Sequence, residues 1–244
     1  MISAPPGHTA DSILGGAITL IQPRRGYRFS VDSILLGRFA AARAGQRVLD
    51  LGAGCGVIAI LIGALCKPRQ LVAVELQPAL ARLIALNAEL NHIAVAAVCA
   101  DLRQRAIPGI APNNFDLVVA NPPYRRRFSG RESPDAGRRA ARGETSAQLD
   151  DFVTAAARCA RFGGRVAMVF DAARIIDLIA SLRAHALEPK RLRFVHPRRE
   201  RAASTVLIEA CKGGGVEAAV EPPLIMYNRP GVYSHEARRI LGEK

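Results

Sequence analysis

The feature that most constrains this chain is an alternation of short, wholly apolar runs with helical patterns. RVLDLG (47–52), LVAVEL (71–76), VAAVCAD (95–101), FDLVVANPPY (115–124) and GGRVAMVFD (163–171) contain strand-length apolar segments. VIAILIGALC (57–66), ALARLIALNAEL after Pro78, AQLDDFVTAAARCARF and ARIIDLIASLRAHAL lie between or after them and read as helices. A strand apolar at every position is covered on both faces, and alternation with helices predicts a mostly parallel sheet in an α/β fold. RLRFVHP and STVLIEACK have no helix between them and read as an antiparallel end pair. A chain of 244 residues, 50% hydrophobic, suffices for one core, so a single domain over 1–244 is expected. At the front, residues 1–12 read as a frayed lead, Ile18 and Leu20 as part of a short strand pair, and Ser30 or Asp32 as the cap of a helix running to about Ala42.

After the first strand, Asp50-Leu51-Gly52-Ala53-Gly54-Cys55-Gly56 forms a glycine turn that opens a helix. Glycines let the backbone turn sharply and approach a ligand, which in open α/β sheets sits at the carboxyl ends of the strands. The spacing is GxGxG rather than GxGxxG, and the turn has no lysine or phosphate cradle. It suits a cationic sulfonium cofactor better than a dinucleotide. The second strand ends in Glu75, placed to accept from ribose hydroxyls, and the third in Asp101, placed to accept from an adenine amino group. Asp50 adds negative charge beside the cation.

Asn121-Pro122-Pro123-Tyr124 follows the fourth strand. The exocyclic amine of adenine is a poor nucleophile, because its lone pair is delocalised into the ring. The Asn121 side-chain oxygen and the Pro122 carbonyl, acting as acceptors, favour a geometry that aims this lone pair at a methyl donor. The prolines stiffen the loop so that little ordering is left for binding. Tyr124 offers a face for stacking a base. The expected catalytic set is Asn121, Pro122, Pro123 and Tyr124, working by direct in-line displacement without a metal. A glutamine side-chain amide is also planar with two N–H groups, so this turn alone does not separate a nucleic-acid substrate from a protein one.

The net charge of +13 favours polyanionic partners. It is concentrated after the NPPY turn in RRRFSGRESPDAGRRAAR (125–142), where Arg125, Arg126, Arg127 and Arg131 are the expected substrate contacts, with Arg138, Arg139 and Arg142 beyond them. A second cluster, Arg198, Arg199 and Arg201, lies between the last two long strands. The five cysteines are scattered without CxxC or zinc-ligand spacing and read as small buried hydrophobes of a reducing cytoplasm. The five histidines show no metal or triad pattern. No apolar stretch is long enough for a membrane span, and the first residues do not resemble a secretory signal.

Together DLGAGCG, VELQ, AD and NPPY resemble the class I Rossmann-like methyltransferases that act on amino nitrogens, over roughly residues 45–170. A narrower resemblance covers nearly the whole chain. The front GGAITLIQPRRGYRFSVDSILLGRFA and the tail through EPPLIMYNRPGVYSHEARRI look like the bacterial valine-tRNA adenine-N6 methyltransferases. That resemblance implies a seven-stranded, mostly parallel sheet with an antiparallel C-terminal pair, S-adenosylmethionine as cofactor and an adenine of structured RNA, tRNA first, as target. It also implies a cofactor set of Asp50, Gly52, Gly54, Gly56, Glu75 with Leu76, Asp101 with Leu102, and Asn121. Residues 1–44 would be an extension packed on the cofactor side, with Asp32 helping to close the pocket, and 125–143 a substrate loop. The glutamine methyltransferases of release factors also carry NPPY. They usually have a separate helical N-terminal domain, for which the roughly 45 residues before the first strand leave too little room.

Overall fold

The computed structural model describes residues 4–123 and 148–243. The chain begins with an antiparallel hairpin, β1 (His8–Ile13) and β2 (Ile18–Pro23), followed by helix α1 (Val31–Phe39). Five strands and four helices follow, alternating except that β5 leads directly to β6. They are β3 (Arg47–Leu51), α2 (Val57–Cys66), β4 (Gln70–Glu75), α3 (Pro78–Leu90), β5 (Ala96–Cys99), β6 (Phe115–Ala120), α4 (Leu149–Cys159), β7 (Ala160–Asp171) and α5 (Ile175–Ala184). Then come β8 (Leu187–His196), β9 (Thr205–Lys212), the two-residue strands β10 (Ala219–Val220) and β11 (Leu224–Ile225), the hairpin β12 (Tyr227–Arg229) with β13 (Val232–Tyr233), and α6 (His235–Leu241).

Seven full strands lie side by side in the order β5-β4-β3-β6-β7-β9-β8, with β10 and β11 both added outside β8. From β5 to β7 every pairing is parallel, and β9 alone runs against the sheet, antiparallel to both β7 and β8. Successive strand residues go to opposite faces. Val48, Leu117, Val119 and Val169 join the core under α1, α2 and α3, while Leu49, Leu51, Val118, Met168 and Phe170 join Phe152, Leu178 and Leu182 of α4 and α5 on the other face. Among the described residues no helix is long and apolar enough to cross a membrane.

Three expectations need correction. Residues 8–13 are strand rather than frayed lead, because a polar side-chain network holds them. Thr9 and Gln22 both donate to Asp11, and Arg28 pairs with Asp11 at 3.3 Å. Helix α1 ends at Phe39 rather than Ala42, with Ala41 already at φ +42°. Ser30 stands at its N-cap but sends its hydroxyl to Asp32 instead of to a backbone N–H. Of the cysteines, Cys55 and Cys159 are buried as expected, whereas Cys99 is exposed on the edge strand β5, and all five are free thiols.

The hairpin is tied to the sheet through one residue. Asn87 of α3 is fully buried, accepts from the Ile21 N–H at 2.7 Å, and donates to the carbonyls of Ile21 and Cys55, each at 2.9 Å. It therefore links the N-terminal hairpin to the glycine turn. Asn87→Ala strands these buried backbone groups, and chemical denaturation is expected to show a loss of about 2 kcal/mol. An unchanged midpoint would mean that water replaces the amide.

Candidate active site at the carboxyl edge of the sheet

Strand register brings the sequence motifs together. Leu51 of β3 stands opposite Val74 of β4 on one side and Ala120 of β6 on the other. The residues that follow these ends, the glycine turn, Glu75 and Asn121, therefore line one edge, about 4.8 Å from strand to strand. Glu75 stands opposite Cys99, which brings the end of β5 and Asp101 beyond it to the same edge.

The turn needs its glycines for different reasons. Gly52, Gly54 and Gly56 all have positive φ, at +69°, +58° and +89°. At Gly52 a Cβ would meet the Phe152 ring at 2.7 Å, so there the missing side chain serves packing. At Gly54 it would collide with the Tyr27 hydroxyl, whose ring covers the turn. The Glu75 carboxylate is almost fully buried and accepts from Gly54 N–H at 2.9 Å through Oε2 and from Gln77 N–H at 3.0 Å through Oε1. Glu75 thus shapes the turn itself, and burial raises its carboxyl above the usual range.

Asp50 is completely buried. Its Oδ2 accepts from the Ala59 N–H at 3.2 Å, in the first turn of α2, and its Oδ1 is buried with no hydrogen-bond partner. Burial, with the nearby Glu75 charge adding to it, pushes the Asp50 carboxyl up to about 7. The Tyr27 ring is partly exposed while its hydroxyl points inward. Burial chiefly, then Cys55, Asp50 and Glu75, raises that phenol far above its ordinary value. Two carboxylates, one with an orphaned oxygen, and a glycine turn make a cradle that fits a small cationic group and repels a phosphate.

Asp101 is held by Arg103, whose Nε and Nη2 lie 3.0 and 2.6 Å from Oδ2, and these bonds chiefly lower its carboxyl. Leu76 is among the exposed large hydrophobics, while Leu102 is buried. Asn121 is partly buried and its Nδ2 donates to Ser33 Oγ at 3.1 Å, which orients the amide. Ser33 itself is 2% exposed on α1. Pro122 is buried and Pro123 exposed. Burial raises the Asp32 carboxyl, one residue from Ser33. Tyr124, Arg125, Arg126, Arg127 and Arg131 lie outside the described residues. The structure thus gathers Asp50, the glycines, Glu75 and Asn121, and adds Tyr27 and Ser33, which motif reasoning missed. The only signal for these two was their place in RRGYRFSVDS, beside Asp32.

Two curated proteins are similar to this chain along most of their length. One from Porphyromonas gingivalis is 27% identical over 225 residues, covering 87% of this chain and 86% of that protein. One from Aeromonas hydrophila is 28% identical over 213 residues, covering 85% of each. Both are named tRNA1(Val) (adenine(37)-N6)-methyltransferase. The crystal structure of a predicted O-methyltransferase from Agrobacterium tumefaciens superposes with a TM-score of 0.69 at 21% identity, covering 86% of this chain and 94% of that one. The Thermus thermophilus 16S rRNA N2 G1207 methyltransferase, solved with AdoMet and guanosine, gives 0.56 at 20% identity, covering 84% of this chain and 50% of that one. These structures establish a shared fold. The family model described as methyltransferase small domain matches residues 30–179, the span from α1 through the glycine turn and Asn121 into α5, and the chain belongs to that family.

Proposed function

We propose that this protein transfers a methyl group from S-adenosylmethionine to the exocyclic N6 amine of an adenine in structured RNA, with tRNA as its substrate. The observation that carries the reading is the pairing of Leu51 with Ala120, which sets an acidic glycine cradle beside an oriented asparagine. The names of the relatives agree with it over more than four fifths of their length.

When bound, S-adenosylmethionine supplies a sulfonium methyl and leaves as a neutral thioether. Asp50 and Glu75 would face the positive half of that ligand, Glu75 and Asp101 would take its ribose and adenine, with Leu76 and Leu102 beside them, and the bare Gly54 is what lets Tyr27 lie over the turn. The N-terminal extension would cover this side through Tyr27, with Asp32 helping to close it. The Asn121 oxygen and the Pro122 carbonyl accept the two N–H groups of the target amine, so that its lone pair points at the methyl. Tyr124 stacks on the base. As the N–C bond forms the methyl–sulfur bond breaks, and the amine gives up one proton to solvent water. Arg125, Arg126, Arg127 and Arg131 hold the RNA backbone beside the pocket. The place of action is the cytoplasm, where tRNA matures.

Incubation with labelled cofactor and, separately, total tRNA, ribosomal RNA, DNA and release factor tests this reading. Label recovered as N6-methyladenine from tRNA is expected. Label on release-factor glutamine and none on RNA would overturn it. Glu75→Ala is expected to weaken cofactor binding by about 2 kcal/mol, the range for a lost charge-assisted hydrogen bond. It should also lower the melting temperature, because Gly54 loses its acceptor. Calorimetry that finds the affinity unchanged would leave Glu75 with the turn-holding role alone.

A further inference from the structure

The carboxyl edge of the sheet turns basic only at its far end. Asp50 lies near the end of β3, Glu75 closes β4 and Asp101 follows β5. Past Asn121 on β6 the edge continues through β7, which ends in Asp171, to β9 and β8, and the end of β8 turns through Arg198, Arg199 and Arg201 into β9. Beside β8 runs β11 in parallel, with Ile225 opposite His196. Two further bonds, Met226 N–H to His196 O at 2.8 Å and Tyr227 N–H to Pro197 O at 2.9 Å, carry the chain beyond the edge into the β12–β13 hairpin. That hairpin is braced by the Tyr227 and Tyr233 rings, stacked 4.7 Å apart and 17° from parallel, and it exposes Arg229.

Arginines elsewhere in the sheet have structural partners. Arg165 and Arg191 share Glu209, and Arg161 binds Asp116. In the turn, Arg198 reaches Glu200 at 3.1 Å. Arg199, Arg201 and Arg229 are exposed and make no ion pair among the described residues. Their side chains are not needed to hold the turn, which is closed by the backbone bond from Arg201 N–H to Arg198 O and by the His196 ring on Arg201 O. Three exposed guanidinium groups with no ion pair among the described residues stand on two braced segments, where an anion can be met with little ordering left to binding. From Asn121 to the end of β8 is three strand spacings, about 14 Å. A stem adjoining a base held at Asn121 is within reach of a surface at that distance.

We propose that the β8–β9 turn and the β12–β13 hairpin form a docking rim for the sugar-phosphate backbone of the RNA stem adjoining the target adenine. The proposal rests on the RNA reading above and adds the surface that recognises the stem. Its test is the triple variant Arg199→Ser, Arg201→Ser, Arg229→Ser, measured with an unmodified valine tRNA transcript. Transcript Kd is expected to rise about tenfold at physiological salt, with the log–log salt slope flatter by about two, at 0.7–0.9 per phosphate contact. Turnover at saturating transcript, cofactor affinity and melting temperature should match wild type. The corresponding triple lysine variant should recover most of the slope. A serine variant with wild-type Kd and slope overturns the rim while leaving the RNA reading intact, and so does a Kd loss accompanied by a lower melting temperature that lysine does not rescue. Wild-type protein that binds cofactor but methylates no RNA overturns both.

Discussion

Asn121→Ala is expected to lower methyl transfer at least ~100-fold while leaving cofactor affinity nearly unchanged. The size follows from removal of a preoriented polar group at a reacting centre. The selectivity follows from position: Asn121 leaves β6, whereas the cradle of Asp50, Gly54 and Glu75 is built on β3 and β4. Its amide is fixed by the 3.1 Å donation to Ser33 Oγ, so the oxygen is presented without rotamer searching. Truncation also strands the buried Ser33 hydroxyl, which costs about 1 kcal/mol of stability. Rates are therefore to be compared at saturating substrates and well below the melting temperature. Asn121→Asp keeps an acceptor and loses the donation to Ser33, so it should retain more activity than alanine. A loss of cofactor affinity that tracks the loss of turnover would give Asn121 the cofactor-holding role that the family resemblance implies instead.

The parallel half of the fold was legible because its strands carry no polar alternation. VIAILIGALC is helix α2 residue for residue, and Pro78 opens α3 as its fixed φ permits. Strand β1 was not legible, since HTADSI is polar and owes its conformation to partners at Gln22 and Arg28. Local pattern carries no record of such distant bonds. The same limit applies at the site. Motif spacing located Asp50, Glu75 and Asn121, because each directly follows or ends an apolar run. It did not reveal that one Asp50 oxygen is orphaned, that Glu75 holds Gly54, or that Tyr27 covers the turn. The first two arise from contacts among the ends of β3, β4 and α2, and the last from residues 18–39 folding over the turn, tied down by bonds such as Asn87 to Ile21 and Asn121 to Ser33. A tyrosine among arginines and a serine in the first turn of a helix have no spacing signature of their own.

Cofactor binding is expected to strengthen as pH rises from 5 to 7, by up to about tenfold per unit, and then to level off. Burial holds the Asp50 carboxyl near 7, so in the ligand-free protein it carries its proton over most of this interval. A cation placed against the orphaned Oδ1 favours the carboxylate and pulls that value down, so binding releases a proton. The affinity change over the two units is then on the order of 100-fold, if the bound value falls below 5. The ligand's own α-amino group, with a reference value near 7.7–8.0, stays protonated over the range measured. Stability of the ligand-free protein should run the opposite way. A carboxyl raised above its unfolded value of 3.8 contributes fully below that pH, and the contribution is lost as pH rises toward 7. Asp50→Asn keeps the shape and an acceptor for the Ala59 N–H but has no proton to release. It should flatten both profiles and bind cofactor at neutral pH about as weakly as wild type does in acid. Glu75 is also raised by burial and titrates beside Asp50. A slope that survives Asp50→Asn but disappears in Glu75→Gln would move the linkage to Glu75, and a flat wild-type profile between pH 5 and 7 would remove the cation from this cradle altogether.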